Sequence, residues 1–325
     1  MKTRNKERRL APRPQPLPNL LVFRKTLVYY VRVSLLCTAF LFVIAWPLYI
    51  TLASAWLEKG LSARSFFVVA TTVLHVVLYW SCNGMTYWWH QSGMFARYRI
   101  GRVKREVPRR QLLIDTLKEA VVGQLIAEPA MLYFFVWPMY QFCGAPPIDA
   151  PLPSCWSTFA SFAVAYFVHD WLFYWSHRLS HSATFYRHVH KQHHAYTGTI
   201  GFAAEFASPF EQIVSMKVPT GAGAFLAGCH PAIWLVWMSY RLCQTYEAHS
   251  GYCFYGSWLH SVGLTNSESA AFHDFHHTGN RGNFGFGPPA YLDHCFGTMD
   301  AWLAVGGIEG YLAQCKERAR LNKDT

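Results

Sequence analysis

The chain has 325 residues, of which 52% are hydrophobic, 17% aromatic and only 14% charged, with a mean hydropathy of +0.09 and a formal net charge of +11. Soluble domains usually carry about 25% charged residues, so this balance argues against a soluble cytosolic protein, and the wealth of Trp, Tyr and Phe argues against a disordered one. The basic residues flank apolar segments, which makes a membrane surface the expected partner and not nucleic acid.

Residues 1–26 form a basic, Pro-rich arm without a small-residue cleavage site after the first apolar run, so no cleaved signal peptide is expected. The region 27–160 then reads as transmembrane. Four stretches approach the roughly 20 apolar residues that a span requires: 27–56, 66–89, 120–142 and 156–175. The leading segment to Arg32 carries nine Lys or Arg against one acid, and the link from Arg97 to Lys118 carries eight against Glu106 and Asp115. The connection 144–155 has neither Lys nor Arg. The positive-inside rule therefore places the N-terminus and the second link in the cytoplasm, and four spans return the chain to that side near Ser176. A further apolar stretch, 213–243, is broken by Gly221, Gly223, Gly228 and the Cys229-His230-Pro231 turn, and is expected to be a helical hairpin. A full crossing or a shallow dip leaves both of its flanks on one face. Residues 303–325 form a charged tail. Nine cysteines without a C-x-x-C pair read as free thiols of a reducing compartment. The expected fold is an all-α integral membrane protein of about four spans plus the hairpin, with a cytoplasmic helical histidine domain over 161–302.

Sixteen histidines are present, fourteen of them between residues 169 and 294. His177 and His181 are four apart, one face of a helix. His190, His193 and His194 follow the i, i+3, i+4 pattern, and His273, His276 and His277 repeat it. A lone histidine is ordinarily a hydrogen-bonded structural residue. Eight neutral imidazoles gathered without a cation would leave many buried acceptors unsatisfied, so these groups are expected to bind transition metal. Eight or more nitrogens exceed the four to six positions of one ion, which favours two metals; imidazole suits iron, zinc and copper alike.

These three groups resemble the histidine boxes of the fatty acid hydroxylase and sterol desaturase superfamily of membrane di-iron oxygenases. The resemblance covers about residues 160–302. Asp170-Trp171-Leu172-Phe173-Tyr174-Trp175 leads into the first box as in that family. The run Thr245 to Tyr252 is similar to its T-x-x-x-H-S-G-Y element, and Asp293 to Thr298 to its closing D-x-x-F-G-T. It implies a metal-ligating and catalytic set of His177, His181, His190, His193, His194, His249, His273, His276 and His277, with His169 as a candidate additional ligand. It also implies two iron ions, O2 as cosubstrate, and cytochrome b5 or an NAD(P)H-dependent reductase as electron donor. A multi-pass protein of the endoplasmic reticulum membrane follows from the same likeness, with N-terminus and boxes facing the cytoplasm. Asp170, Glu205, Glu211, Glu247, Asp274 and Asp293 lie in the motif segments and are candidates to orient ligating imidazoles.

The segment Ala204 to Glu211 (AEFASPFE) is similar to one found in the C-4 methyl sterol oxidase branch, which makes C-4 methyl sterol oxidation the expected activity. Ser208 stands where that branch carries a His, Thr199 where a Pro commonly follows the second box, and Phe272 where a further His precedes the third. The alternatives are a fatty acyl or sphingolipid hydroxylase, a sterol side-chain hydroxylase, or a non-catalytic scaffold stabilised by metal. A His-rich transporter fits poorly, because the boxes fall outside the spans.

Overall fold

The computed structural model describes residues 19–101, 110–262, 264–285 and 290–321. Most of the basic arm, the centre of the second basic link and the last four residues lie outside this set. Every regular element among the described residues is helical.

Three helices are long and apolar enough to cross a membrane: α1 (Leu20–Glu58), α2 (Ala63–Ser92) and α3 (Arg110–Phe142). Their apolar residues point both ways. Tyr29, Val33, Cys37 and Leu41 of α1 are buried, whereas Phe23, Leu27, Leu35 and Val43 on its other face are exposed, as they would be against lipid. The expected fourth span forms α4 (Cys155–Ser180), which is not among the three. The apolar stretch that follows the boxes folds as α5 (209–226) and α6 (Pro231–His249), separated by a turn in which Gly228 has φ +53° and His230 caps α6 through Nδ1.

Prolines leave a consistent mark on these helices. Pro47, Pro129, Pro138 and Pro219 each follow a π-helical turn: Leu41–Ala45, Gly123–Ala127, Leu132–Val136 and Gln212–Lys217. A proline ring lacks the N–H and would strike the carbonyl four residues earlier; the wider turn makes room without ending the helix.

α4 packs most extensively on α5, and Gly223 makes that possible. A Cβ there would lie 2.4 Å from Ala165 Cα and 2.8 Å from its carbonyl oxygen, both main-chain atoms that cannot swing aside. α4 also lies along α1, and α6 crosses both α2 and α7 (Ser267–Gly279). A final helix, α8 (Gly307–Leu321), covers α7. The first box therefore ends α4, the third lies on α7, and the second occupies the irregular connection between α4 and α5.

Candidate metal centre

The structure gathers the eight box histidines and His249 into two adjoining groups. His177, His181, His190, His194 and His276 form one, and His193, His249, His273 and His277 the other; within each, one ring nitrogen per residue lies within 4.8 Å of all the rest. Eight of the nine are buried and His181 is partly so.

Helical spacing explains much of this. His177 and His181 share a face at the C-terminal end of α4, and His273 and His277 share one on α7, with His276 turned toward the other group. The second box departs from a regular helix. Its residues lie in a π turn (Tyr186–His190) and a 3-10 turn (His193–Ala195), which send His190 and His194 to the first group and His193 to the second. His249, the last residue of α6, completes the second group.

The hydrogen bonds fix which nitrogen is bare on five of the rings. His177 Nδ1 donates to Phe284 O (2.8 Å), His276 Nδ1 to Gly282 O (2.6 Å), His277 Nδ1 to Tyr196 O (3.0 Å), His249 Nδ1 to Thr245 O (2.9 Å) and His193 Nδ1 to Phe206 O (3.3 Å). A carbonyl oxygen can only accept, so each of these Nδ1 atoms carries the proton and each Nε2 presents a lone pair. The Nε2 atoms nevertheless face one another. His177 and His190 approach to 3.2 Å, His276 meets His181 and His194 at 3.1 Å each, and His273 meets His249 at 2.9 Å and His277 at 3.1 Å. One proton on His273 could bridge to one of its two neighbours but not to both.

Protonating the rings is no escape, because burial, reinforced by the neighbouring histidines, disfavours the imidazolium. It pulls His177 and His249 down to about 4 and His193, His273, His276 and His277 further below the usual histidine value. Converging lone pairs that cannot be protonated suit cations, and the donor set fits two of them.

The carboxylates behave individually. Glu211, 2% exposed, meets His190 Nδ1 at 2.5 Å, and burial pushes its carboxyl up to about 8. Ser208 caps the start of α5 by accepting the Glu211 N–H (3.3 Å), so this departure from the family pattern holds the residue that orients His190. Asp293 accepts from Phe284 N (2.7 Å), Gly285 N (2.6 Å) and Thr298 Oγ1 (2.6 Å), fixing the turn whose carbonyl orients His177. Asp274 accepts from Thr199 N and Oγ1 (3.0 and 2.6 Å) and from Tyr311 (2.8 Å), tying the end of the second box to the third. Phe272 packs its ring on Trp302. Glu247 receives Asn266 N, just before α7, and Asp170 receives Tyr30 (2.6 Å). Glu205 bonds His75 and Tyr246. His169 stands apart from both groups, two turns before His177, stacked on Phe173 with Nδ1 3.5 Å from Asp170. Five of the acceptors that orient the imidazoles are main-chain carbonyls, which carry no signature in the sequence.

The sequence profile of the fatty acid hydroxylases matches residues 162–298, the span that contains all nine histidines. A very-long-chain aldehyde decarbonylase of Oryza sativa subsp. indica (GL1-11) is 32% identical over 79% of this chain and 96% of its own length. Methylsterol monooxygenase erg25B of Aspergillus fumigatus is 30% identical over 71% of this chain and 76% of its own. Fatty acid hydroxylase domain-containing protein 2 of Macaca fascicularis is 31% identical over 72% of this chain and 66% of its own. No solved structure matches. The chain belongs to the fatty acid hydroxylase family, within the sterol desaturase superfamily. It is a membrane-bound oxidoreductase of the lipid-oxygenase class.

Proposed function

We propose that the protein is a di-iron monooxygenase that oxidises a C-4 methyl group of a sterol: R–CH3 + O2 + 2 e− + 2 H+ gives R–CH2OH + H2O. The observation that carries the reading is the convergence of ring nitrogens in two groups, five in one and four in the other, with Nε2 bare on the five rings whose Nδ1 donates to a main-chain carbonyl. Bound there, iron supplies the redox chemistry with O2 that unactivated C–H bonds demand and acid–base side chains cannot provide.

The chain's own part is to hold and isolate. In this reading the five-histidine group would hold one iron and the four-histidine group the other. The carbonyls of Phe284, Gly282, Tyr196, Phe206 and Thr245 lock the tautomers of five rings, and the Glu211 carboxyl group orients His190 through Nδ1. Burial keeps bulk water from the reacting atoms, and attachment to α1–α3 lets a lipid approach from the bilayer. The electrons come from outside the chain, from cytochrome b5 or an NAD(P)H-dependent reductase on the cytoplasmic face. The endoplasmic reticulum is the proposed membrane, with N-terminus and boxes in the cytoplasm.

The Ala204 to Glu211 segment and the methylsterol monooxygenase of Aspergillus fumigatus favour the sterol. A second reading keeps the centre and takes a fatty acyl substrate; the aldehyde decarbonylase of rice, matched over 96% of its length, favours it. Protein reconstituted anaerobically with iron and given a reductant tests the first. About two irons per chain and O2 uptake dependent on a 4-methyl sterol are expected, and His193→Ala should abolish turnover while remaining inserted. Two irons with uptake that responds only to acyl lipids would overturn the sterol assignment.

A further inference from the structure

Outside the two histidine groups, a set of ionisable side chains joins the spanning helices to the segment between the boxes. His75, midway along α2, is 5% exposed, and both of its ring nitrogens face carboxylates: Nδ1 lies 2.7 Å from Glu128 Oε2 of α3, and Nε2 lies 2.7 Å from Glu205 Oε1. A neutral imidazole has one N–H and could serve one of them. The arrangement therefore holds an extra proton, and an imidazolium between two carboxylates is the form that satisfies both ring nitrogens. Lys217 Nζ, 3.8 Å from Glu128, brings the charges to two of each sign. Ionisable side chains at membrane depth are costly and persist where they are paired and used.

Glu205 is the member that leaves the membrane helices. Besides His75 it accepts from Tyr246 of α6 (2.5 Å) and from Gln124 of α3 (3.3 Å). Burial opposes its ionisation, yet the charge and hydrogen bond of His75 and the hydrogen bond from Tyr246 hold its carboxyl at about 2. The neighbouring Phe206 offers the carbonyl that receives His193 Nδ1, and six residues beyond Glu205 is Glu211, which receives His190 Nδ1. Gln212 closes the segment on itself by donating to Glu205 O (3.3 Å) and Ala207 O (3.1 Å) and reaches Glu119 of α3 (3.4 Å). The second box lies in π and 3-10 turns, so regular helix geometry does not aim its rings. Their direction depends on these two acceptors.

We propose that His75, Glu128 and Glu205 form an ionic clamp that anchors the 205–211 segment to the membrane helices and thereby positions His190 and His193, one ligand in each group. The clamp rests on the metal-centre reading above. His75 is a positioning residue: it touches no ligand, and it acts through Glu205 on the acceptors of two of them.

The test is cobalt(II) titration of the full chain in detergent, followed by its d–d absorption, on protein that elutes as a folded monodisperse species. Wild type should take up about two cobalt ions. His75→Gln should weaken uptake at both sites by about 10-fold and shift the absorption bands, because both His190 and His193 lose a fixed acceptor. Glu205→Gln, which keeps the side-chain shape and one acceptor oxygen for Tyr246 but loses the charge facing His75 and the acceptor for Gln124, should do the same to a smaller degree and serves if His75→Gln does not fold. Folded variants with wild-type affinity and wild-type spectra, differing only in a lower Tm, would overturn the clamp and reduce these residues to helix packing. Wild-type protein that binds no cobalt would overturn the metal centre itself, and the clamp with it.

Discussion

Glu211→Ala isolates one contact of the centre. The carboxylate is buried and meets His190 Nδ1 at 2.5 Å, so its removal leaves a ring N–H with no acceptor in a site closed to water. A buried donor stranded in this way costs about 1–3 kcal/mol, and about 1.4 kcal/mol corresponds to a tenfold change in binding. The metal affinity at that site should fall about 10-fold to 100-fold, as is usual when a partner of a ligating histidine is lost. Glu211→Gln keeps a neutral acceptor and should lose only about 1 kcal/mol, roughly fivefold. His190 belongs to the five-histidine group alone. Competition with a graded chelator should therefore show two unequal sites in the variant, one weakened and one as in wild type. Equal weakening of both sites, or an unchanged titration of the Ala variant, would refute the argument that Glu211 acts through His190.

His169→Ala should leave the metal content of the purified protein at the wild-type level, because His169 lies outside both groups; a loss of one metal per chain would restore it as a ligand. Gly223→Ala should destabilise the protein by about 1–3 kcal/mol, since its Cβ would lie 2.4 Å from Ala165 Cα. A lowered Tm in detergent measures this, and an unchanged Tm would show that α4 and α5 pack less closely than described. Gly282→Ala would set a Cβ 2.2 Å from Thr298 O at a φ of +59° and so shift the carbonyl that holds His276. Its metal affinity should fall at the five-histidine site, with the four-histidine site unchanged in the same chelator competition.

Eight of the nine histidines could be found from spacing, and His249 from its likeness to the T-x-x-x-H-S-G-Y element, whereas their division into groups could not. Spacing assigns a face only while the backbone stays α-helical, as it does at His177 and His181 and along α7. The second box breaks that condition, and His193, which the i, i+3, i+4 pattern places beside His190 and His194, turns to the other group. The orienting acceptors were hidden for a different reason. Every residue has a carbonyl, so nothing in the letters distinguishes Phe284, Gly282 or Tyr196 from their neighbours. Glu211 was legible because carboxylates commonly orient ligating imidazoles and it lies in a motif segment; the same reasoning pointed to Asp274 and Glu247, which the structure engages with Thr199 and Asn266 instead.

His75 and Glu128 did carry a signal, since each is an ionisable residue inside a stretch otherwise apolar enough to cross a bilayer. What the sequence lacks is the pairing: the two are 53 residues apart, and Glu205 lies a further 77 along the chain. Only the packing of α2 against α3 and of the 201–205 turn against both brings them to hydrogen-bond distance. Histidines placed on a continuous helix can be aligned by that helix, but those in an irregular connection need support from elsewhere. Here the support is proposed to reach them from His75 and Glu128, which precede the first box by about a hundred and about fifty positions. This gives the membrane helices a role in the geometry of the centre as well as in anchoring it.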